Sequence, residues 1–287
     1  MFKRVISLLL VFSIIFTFAS CVKEKEVEET TTQIPTVKVT IPEGYTLLRI
    51  SWLLEEKGLC TSDEFINLAQ TYDEWIDFTQ YPFLEDLKNQ ENICFYLEGY
   101  IFPLTYDIPE TATAKDIILM LLNGTKKVFN DEFMQKVEAS EFSLHEILTL
   151  ASIVEKEAKL DEQRPMISSV IHNRINVKMR IQCDPTATYC DKVIAVKYPD
   201  KAKHFEKYYD TDICPGLMAG PICNPGMKSI DAALNPADTE YLYFIIGMVE
   251  PYVAKYSKTY KEHAKYHDEN YELIYGKKKK KNSLPKR

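Results

Sequence analysis

The residues best suited to chemistry lie in the stretch SLHEILTLASIVEKEAKL, residues 143–160. Ser143, followed three positions later by Glu146, has the spacing of a capping box and predicts a helix opening there. On a helical projection Leu144, Ile147, Leu148, Ala151, Val154 and Ala158 share one broad face, which Leu150 and Ile153 extend. Such a helix is apolar around most of its circumference and is expected to be buried. Glu155 falls near the middle of the apolar face and Glu157 at its edge, while Thr149, Ser152 and Lys156 take the polar side. A carboxylate in that setting has two fates. It pairs with a cation, for which Arg164, Arg174 and Arg180 are available, or desolvation raises its pKa until it can hold and deliver a proton near neutrality. Cleavage of a glycosidic bond needs such a donor, because the departing sugar oxygen leaves poorly until protonated. Glu155 and Glu157 point about 200° apart by helical geometry, so they cannot flank one sugar as an ordinary glycosidase pair does.

The segments that must surround this helix are rich in amides, hydroxyls and rings. They include His172-Asn173-Arg174, the run from Arg180 to Tyr189, Gly220 to Gly226, Ser229 to Pro236 and a strand from Tyr241 to Ile245. That inventory suits a neutral polyhydroxylated ligand, although Asn-Pro and Gly-Pro are also ordinary turn formers. Upstream, alternating β-branched residues from Val37 to Ile41 predict a half-buried strand. Thr46 can cap a helix carrying Leu47, Ile50, Leu53 and Leu54 that stops at Lys57-Gly58, and Thr61 to Glu64 opens another with Phe65, Leu68 and Ala69 inward. Strand, helix, helix resembles the opening of a LysM module, a small fold found on wall glycan. Further helices are expected over 113–122 and 132–139. The fold class expected is α+β, a LysM-like module over 37–95 followed by a larger mixed α/β domain over 96–276.

The ends define the compartment. Residues 1–21 place two basic residues before an apolar run closing in Phe18-Ala19-Ser20-Cys21, the layout of an export signal with a lipobox-like end. Cys21 is the expected lipidation site, the alternative being an uncleaved signal anchor; either tethers the body to the outer face of the cell membrane. Residues 22–36 are polar and charged and read as a flexible linker. The last eleven residues, 277–287, hold seven basic groups and no acid, which leaves residues 1–276 at a net charge of −14. A body so acidic excludes nucleic acid, whose binding rests on cations neutralising phosphates. Apart from Cys21, six cysteines allow up to three disulfides in pairings the sequence does not choose among. Their spacing is unlike that of a structural zinc site, and no metal or cofactor is expected.

Together, ASIVEKEA, HNRI, the QxDPTxxY box, GPICNPG, SIxAALNP, YLYF and the late TYKEH resemble the YceG-like family of endolytic murein transglycosylases. IPEGYT and LEGYIFPLTY resemble the family's elements ahead of the catalytic region, and the match runs in order from about residue 38 to residue 263. The resemblance implies lytic cleavage of the β-1,4 bond between N-acetylmuramic acid and N-acetylglucosamine in nascent strands, leaving a 1,6-anhydro end. One carboxyl group, acid then base, suffices for this. It places the catalytic glutamate on Glu157, whereas helix burial alone favours Glu155, kept as supporting or alternative acid. It implies Asn173, Arg174, Gln182, Asp184, Thr186, Tyr189, Asn224 and Ser229 as substrate-binding residues, and work beside peptidoglycan synthases.

Departures from the family's pattern concentrate near the expected cleft. A Tyr-Asn-Thr-Tyr box appears as Tyr209-Asp210-Thr211-Asp212, a Leu-Pro-Pro-Gly stretch as Leu217-Met218-Ala219-Gly220, and Lys178 and Ala254 replace a usual glycine and histidine. Two alternatives therefore stand beside the transglycosylase. One is a wall-binding lipoprotein with weak or no chemistry; the other is a hydrolase with Asp184 activating water.

Overall fold

The structure, a computed structural model, describes residues 34–269 and Tyr271. The signal stretch, Cys21, most of the linker and the basic tail lie outside the described residues.

The first element is β1 (Thr36–Thr40), whose alternation buries Val39. It pairs antiparallel with β2 (Thr105–Pro109), Val39 opposite Tyr106 and Val37 opposite Ile108. The partner of β1 thus lies past residue 95, because Tyr106 and Ile108 present the matching inward alternation. Between the strands stand α1 (Leu47–Glu56) and α2 (Ser62–Gln70). The Thr46 hydroxyl accepts from the Arg49 amide at 3.1 Å and starts α1. Gly58, at φ +72°, turns the chain out of it, a conformation that glycine adopts at little cost. Thr61 and Glu64 form the capping box of α2. Ser51 and Ser62 hydroxyls, 2.7 Å apart, join the two helices inside the core.

Next come α3 (Ala114–Val128), α4 (Asp131–Glu138) and α5 (Leu144–Glu157), followed by α6 (Arg164–Asn176), α7 (Asp184–Tyr189), α8 (Ala202–Tyr209) and α9 (Met227–Leu234). The chain closes with the hairpin β3 (Tyr243–Ile246) and β4 (Ala254–Ser257) and the helix α10 (Tyr260–Glu269). The mixture of helices with two small antiparallel sheets agrees with an α/β body. All described elements from Pro35 on belong to one compact unit.

Helix α5 is its axis, packed against α6 and α9. The Ser143–Glu146 capping box forms as its spacing predicts, and every residue from Ile147 to Val154 is buried. Thr149 and Ser152, on the polar side of the helical projection, are buried too. Their hydroxyls reach back to the carbonyls of His145 and Thr149, each at 2.7 Å, so the helix can be enclosed all round. Among the described residues no helix is long and apolar enough to cross a membrane.

Candidate active site

Glu157 is the last residue of α5; the chain turns extended at Ala158. That placement carries its side chain out of the core into a cleft of about 1160 Å³. One wall comes from α1 (Thr46, Leu48, Arg49, Trp52) and the facing one from β3 and α10 (Tyr243, Phe244, Tyr260, His263). Gln182, Asp184, Thr188, Tyr189 and Lys192 form the end carried by α7 and the turns beside it. Burial pushes the Glu157 carboxyl up to about 7; the Asp184 carboxylate adds to this, while the Cys183 thiol, Lys159 and Arg174 oppose it. Glu157 makes no ion pair among the described residues. A carboxyl of this kind is half protonated near neutrality, the condition for a group that must first give a proton and then accept one.

Glu155 sits differently. Its Oε2 accepts from the Ser229 hydroxyl at 2.7 Å, the Gly226 amide at 3.1 Å and the Arg164 guanidinium at 3.3 Å. The Arg164 and Glu155 side chains are only 12% and 9% exposed, so this is a buried pair that fastens α5 to α6 and to the start of α9. The paired-carboxylate fate belongs to Glu155, the unpaired one to Glu157. Helix burial does not separate the two, because it registers depth and not what the side chain meets there.

The turn holding Gln182 and Asp184 is braced from behind. Gln182 has φ +51°, a left-handed conformation costing a side-chain-bearing residue about 1–2 kcal/mol. The backbone is held there by Thr211, whose hydroxyl accepts from the Cys183 amide at 2.9 Å and whose carbonyl accepts from the Gln182 amide at 3.3 Å. The Thr186 hydroxyl donates to the Cys183 carbonyl at 2.7 Å and lies 2.9 Å from that of Thr211. Gln182 and Asp184 are left exposed in the cleft. In the departing box Tyr209-Asp210-Thr211-Asp212 the threonine is kept, and it carries this brace.

Arg174 lines the cleft but is largely consumed by structure. Its Nε donates to the Leu242 carbonyl at 2.6 Å, its Nη1 to the Ile181 carbonyl at 2.5 Å, and the guanidinium lies 5.2 Å from the centre of the Tyr243 ring. Asn173 donates to the carbonyls of Thr239 and Tyr241 at 2.8 and 3.0 Å and anchors the approach to β3. Of the ten residues expected from sequence, Glu157, Arg174, Gln182, Asp184 and Tyr189 line one cleft. Glu155, Asn173, Thr186, Asn224 and Ser229 do not; their polar atoms are committed to the contacts that shape it.

Glu98, from the irregular LEGYIF segment, was not singled out by sequence, yet it organises the cleft. It is 1% exposed. Its Oε1 accepts from the Leu47 amide at 2.8 Å and the Asn224 amide group at 3.0 Å, and its Oε2 from the Tyr189 hydroxyl at 3.0 Å. Burial pushes its carboxyl up to about 8. Asn224 also gives Nδ2 to the Tyr45 carbonyl at 3.0 Å and accepts from the Ile101 amide at 2.9 Å. The start of α1, the end of α7 and the loop before α9 thus meet at one carboxyl. Its sequence signal was an acidic residue between Leu97 and Gly99 in an aromatic run. Arg49 and Trp52 were missed as well, their only signal being polar or oversized side chains three apart on an apolar helix.

All six described cysteines, Cys60, Cys94, Cys183, Cys190, Cys214 and Cys223, are free thiols in this structure. Among the described residues no three His, Cys, Asp or Glu side chains converge as a metal site.

The model of the YceG-like family matches residues 16–269. An endolytic murein transglycosylase of Bacillus subtilis is 33% identical over 237 residues, 79% of this chain and 63% of that protein. One of Streptococcus pneumoniae is 31% identical over 227 residues, 74% of this chain and 41% of that protein. The chain therefore spans less than two thirds of the length of these relatives. A crystal structure of a YceG-like protein from Listeria monocytogenes superposes with a TM-score of 0.65 at 30% identity, covering 80% of this chain and 75% of that one. By the extent of these matches, and by the cleft its matching motifs build, the chain belongs to the YceG-like family.

Proposed function

We propose that the protein is an endolytic peptidoglycan lytic transglycosylase acting through Glu157. The observation that carries this is an unpaired carboxyl, held up to about 7, at the wall of a large cleft lined with rings and polar groups. Protonated Glu157 gives its proton to the oxygen bridging N-acetylmuramic acid and N-acetylglucosamine as the bond from that oxygen to the anomeric carbon breaks. The carboxylate left behind takes the proton of the muramic 6-hydroxyl, whose oxygen bonds to the anomeric carbon. The products are a free 4-hydroxyl and a 1,6-anhydro end, Glu157 is reprotonated, and no water is consumed. Burial, aided by the Asp184 carboxylate, keeps about half of Glu157 protonated at neutral pH, and Tyr243, Phe244 and Trp52 offer ring faces to sugars. Names of the relatives and the family membership support the same activity.

The order β1–α1–α2–β2 and its antiparallel closure support reading this region as a LysM-like unit. In this proposal the unit grips glycan as one wall of the cleft. Cys21 tethers the body by lipid to the outer face of the membrane, where nascent strands emerge from synthases.

Purified glycan strands digested by wild type should yield anhydro-ended fragments, identified by mass spectrometry, and Glu157→Gln should abolish them. Glu155→Gln should lower the melting temperature, by leaving Arg164 unpaired, while anhydro ends still form. Fragments heavier by one water would instead mark a hydrolase, and tight glycan binding without fragments a wall-binding protein. Either result, or full activity in Glu157→Gln, refutes the proposal.

A further inference from the structure

The charge lining the cleft is opposite to that of the chain. The protein carries a formal −7, yet its cleft is lined by the cations Arg49, Lys156, Lys159, Arg174 and Lys192 against the carboxyls of Glu157 and Asp184. One of those carboxyls, Glu157, is half neutral near pH 7. Two of the five cations are occupied. Arg174 is spent on backbone carbonyls, and Lys156 donates to the Gly44 carbonyl at 2.6 Å. Arg49, Lys159 and Lys192 are exposed, and among the described residues none of them has a carboxylate at ion-pair distance. Arg49 is instead held over the Tyr45 ring, 4.6 Å from its centre. It projects from α1 beside Trp52, three residues on, which is 45% exposed. Uncommitted cations concentrated in a large concavity of an acidic protein focus a positive field there and select an anionic ligand.

In a peptide-bearing strand the lactyl carboxyls are capped as amides, so the sugar backbone itself is neutral and gives those cations nothing to bind. Its muramic residues, however, carry peptides on their lactyl ethers, and these peptides bear free carboxylates close to the scissile linkage. From this we infer that Arg49, Lys159 and Lys192 form a subsite for the carboxylates of the stem peptide, so that the enzyme selects strands whose peptides keep their free carboxylates over strands in which those carboxylates are neutralised. The inference rests on the proposed transglycosylase reading and adds the part of the substrate that is recognised. A lipid pyrophosphate offers similar anionic chemistry but sits at the end of a strand. An internal cut places it many sugars away, whereas every muramic residue brings its peptide to the cleft.

The test uses full-length protein with two substrates: uncrosslinked, lipid-free strands carrying their peptides, and the same strands after carbodiimide coupling of the peptide carboxylates to methylamine, which keeps the peptides and removes their negative charge. The measured quantity is the ratio of kcat/KM on the first to that on the second. Wild type should prefer strands with free peptide carboxylates by roughly tenfold, as a few partly exposed ion pairs provide, and the preference should shrink as salt rises. In Arg49→Ala/Lys192→Ala the ratio should collapse toward one, with recovery in Arg49→Lys/Lys192→Arg. Trp52→Ala, which removes a ring and no charge, should slow both substrates and keep the ratio. A wild-type ratio of one, or a ratio unmoved by the double substitution, overturns the subsite and leaves the transglycosylase assignment standing. No anhydro product from either substrate overturns both. Preference only for strands that keep their lipid pyrophosphate would assign the cations to that group and overturn the inference as well.

Discussion

Replacing Glu98 by glutamine should make the protein more stable at alkaline pH, contrary to the usual outcome of altering a buried, fully bonded residue. The carboxyl titrates at about 8 in the fold against an ordinary 4.5. Between those values the folded state holds a proton that the unfolded state has released, so stability falls as pH rises. The contribution is complete below pH 4.5 and is lost as pH passes 8. Each pH unit inside the window changes stability by about 1.4 kcal/mol, for a total of about 5 kcal/mol that local relaxation reduces to roughly 2–4. Glutamine escapes this loss because it never ionises. Its carbonyl can accept from Leu47 and Asn224 as Oε1 does now, and its amino group can donate to the Tyr189 oxygen. Melting temperatures of both proteins, measured from pH 5 to pH 9, should lie close together at pH 5 and separate steadily above it. For a domain of this size the difference should reach roughly 5–15 °C in favour of Glu98→Gln. Other titrating groups are common to both chains and cancel. Parallel curves would refute the reasoning, since they would mean that Glu98 ionises as easily inside the fold as outside.

Two further outcomes follow from the site. With Glu157 at about 7, kcat/KM should be level at lower pH and fall tenfold per unit above neutrality; Asp184→Asn removes the like charge and should move that descending limb to lower pH, read from pH–rate profiles of both forms. Gly99, next to Glu98, has φ +85°, and a Cβ there would lie 2.6 Å from Cγ of Pro221; Gly99→Ala should therefore cost about 2–4 kcal/mol in urea unfolding, combining backbone strain with overpacking.

How much of this was legible beforehand depends on range. Local devices were visible: the Thr46 and Thr61 caps, the Ser143–Glu146 box and the stop at Gly58 each involve residues within four positions of one another. The Glu155 and Glu157 environments were not, because the partners that tell them apart, Arg164, Ser229 and Asp184, arrive from other helices. Resemblance to the family singled out Glu157 where periodicity favoured Glu155. Thr186, Asn224 and Ser229 were recognisable as important, but motif membership did not separate residues that shape a cleft from those that face into it. Glu98 was hidden for a related reason. Its role is written in three contacts 51, 91 and 126 positions away along the chain, and no window of sequence contains them.

The bolt that Glu98 and Asn224 drive through the molecule also bears on how such proteins can be rearranged by evolution. A glycan-gripping unit is often imagined as a bead on a string, free to be duplicated, swapped or lost. Here the unit that begins at Thr36 shares its innermost polar contacts with the loop ahead of the ninth helix, and its first helix lines the cleft that holds Glu157. A lineage could add modules ahead of it at little risk. Exchanging the unit itself would mean rebuilding that cleft, so it should be inherited together with the rest of the body and not traded separately.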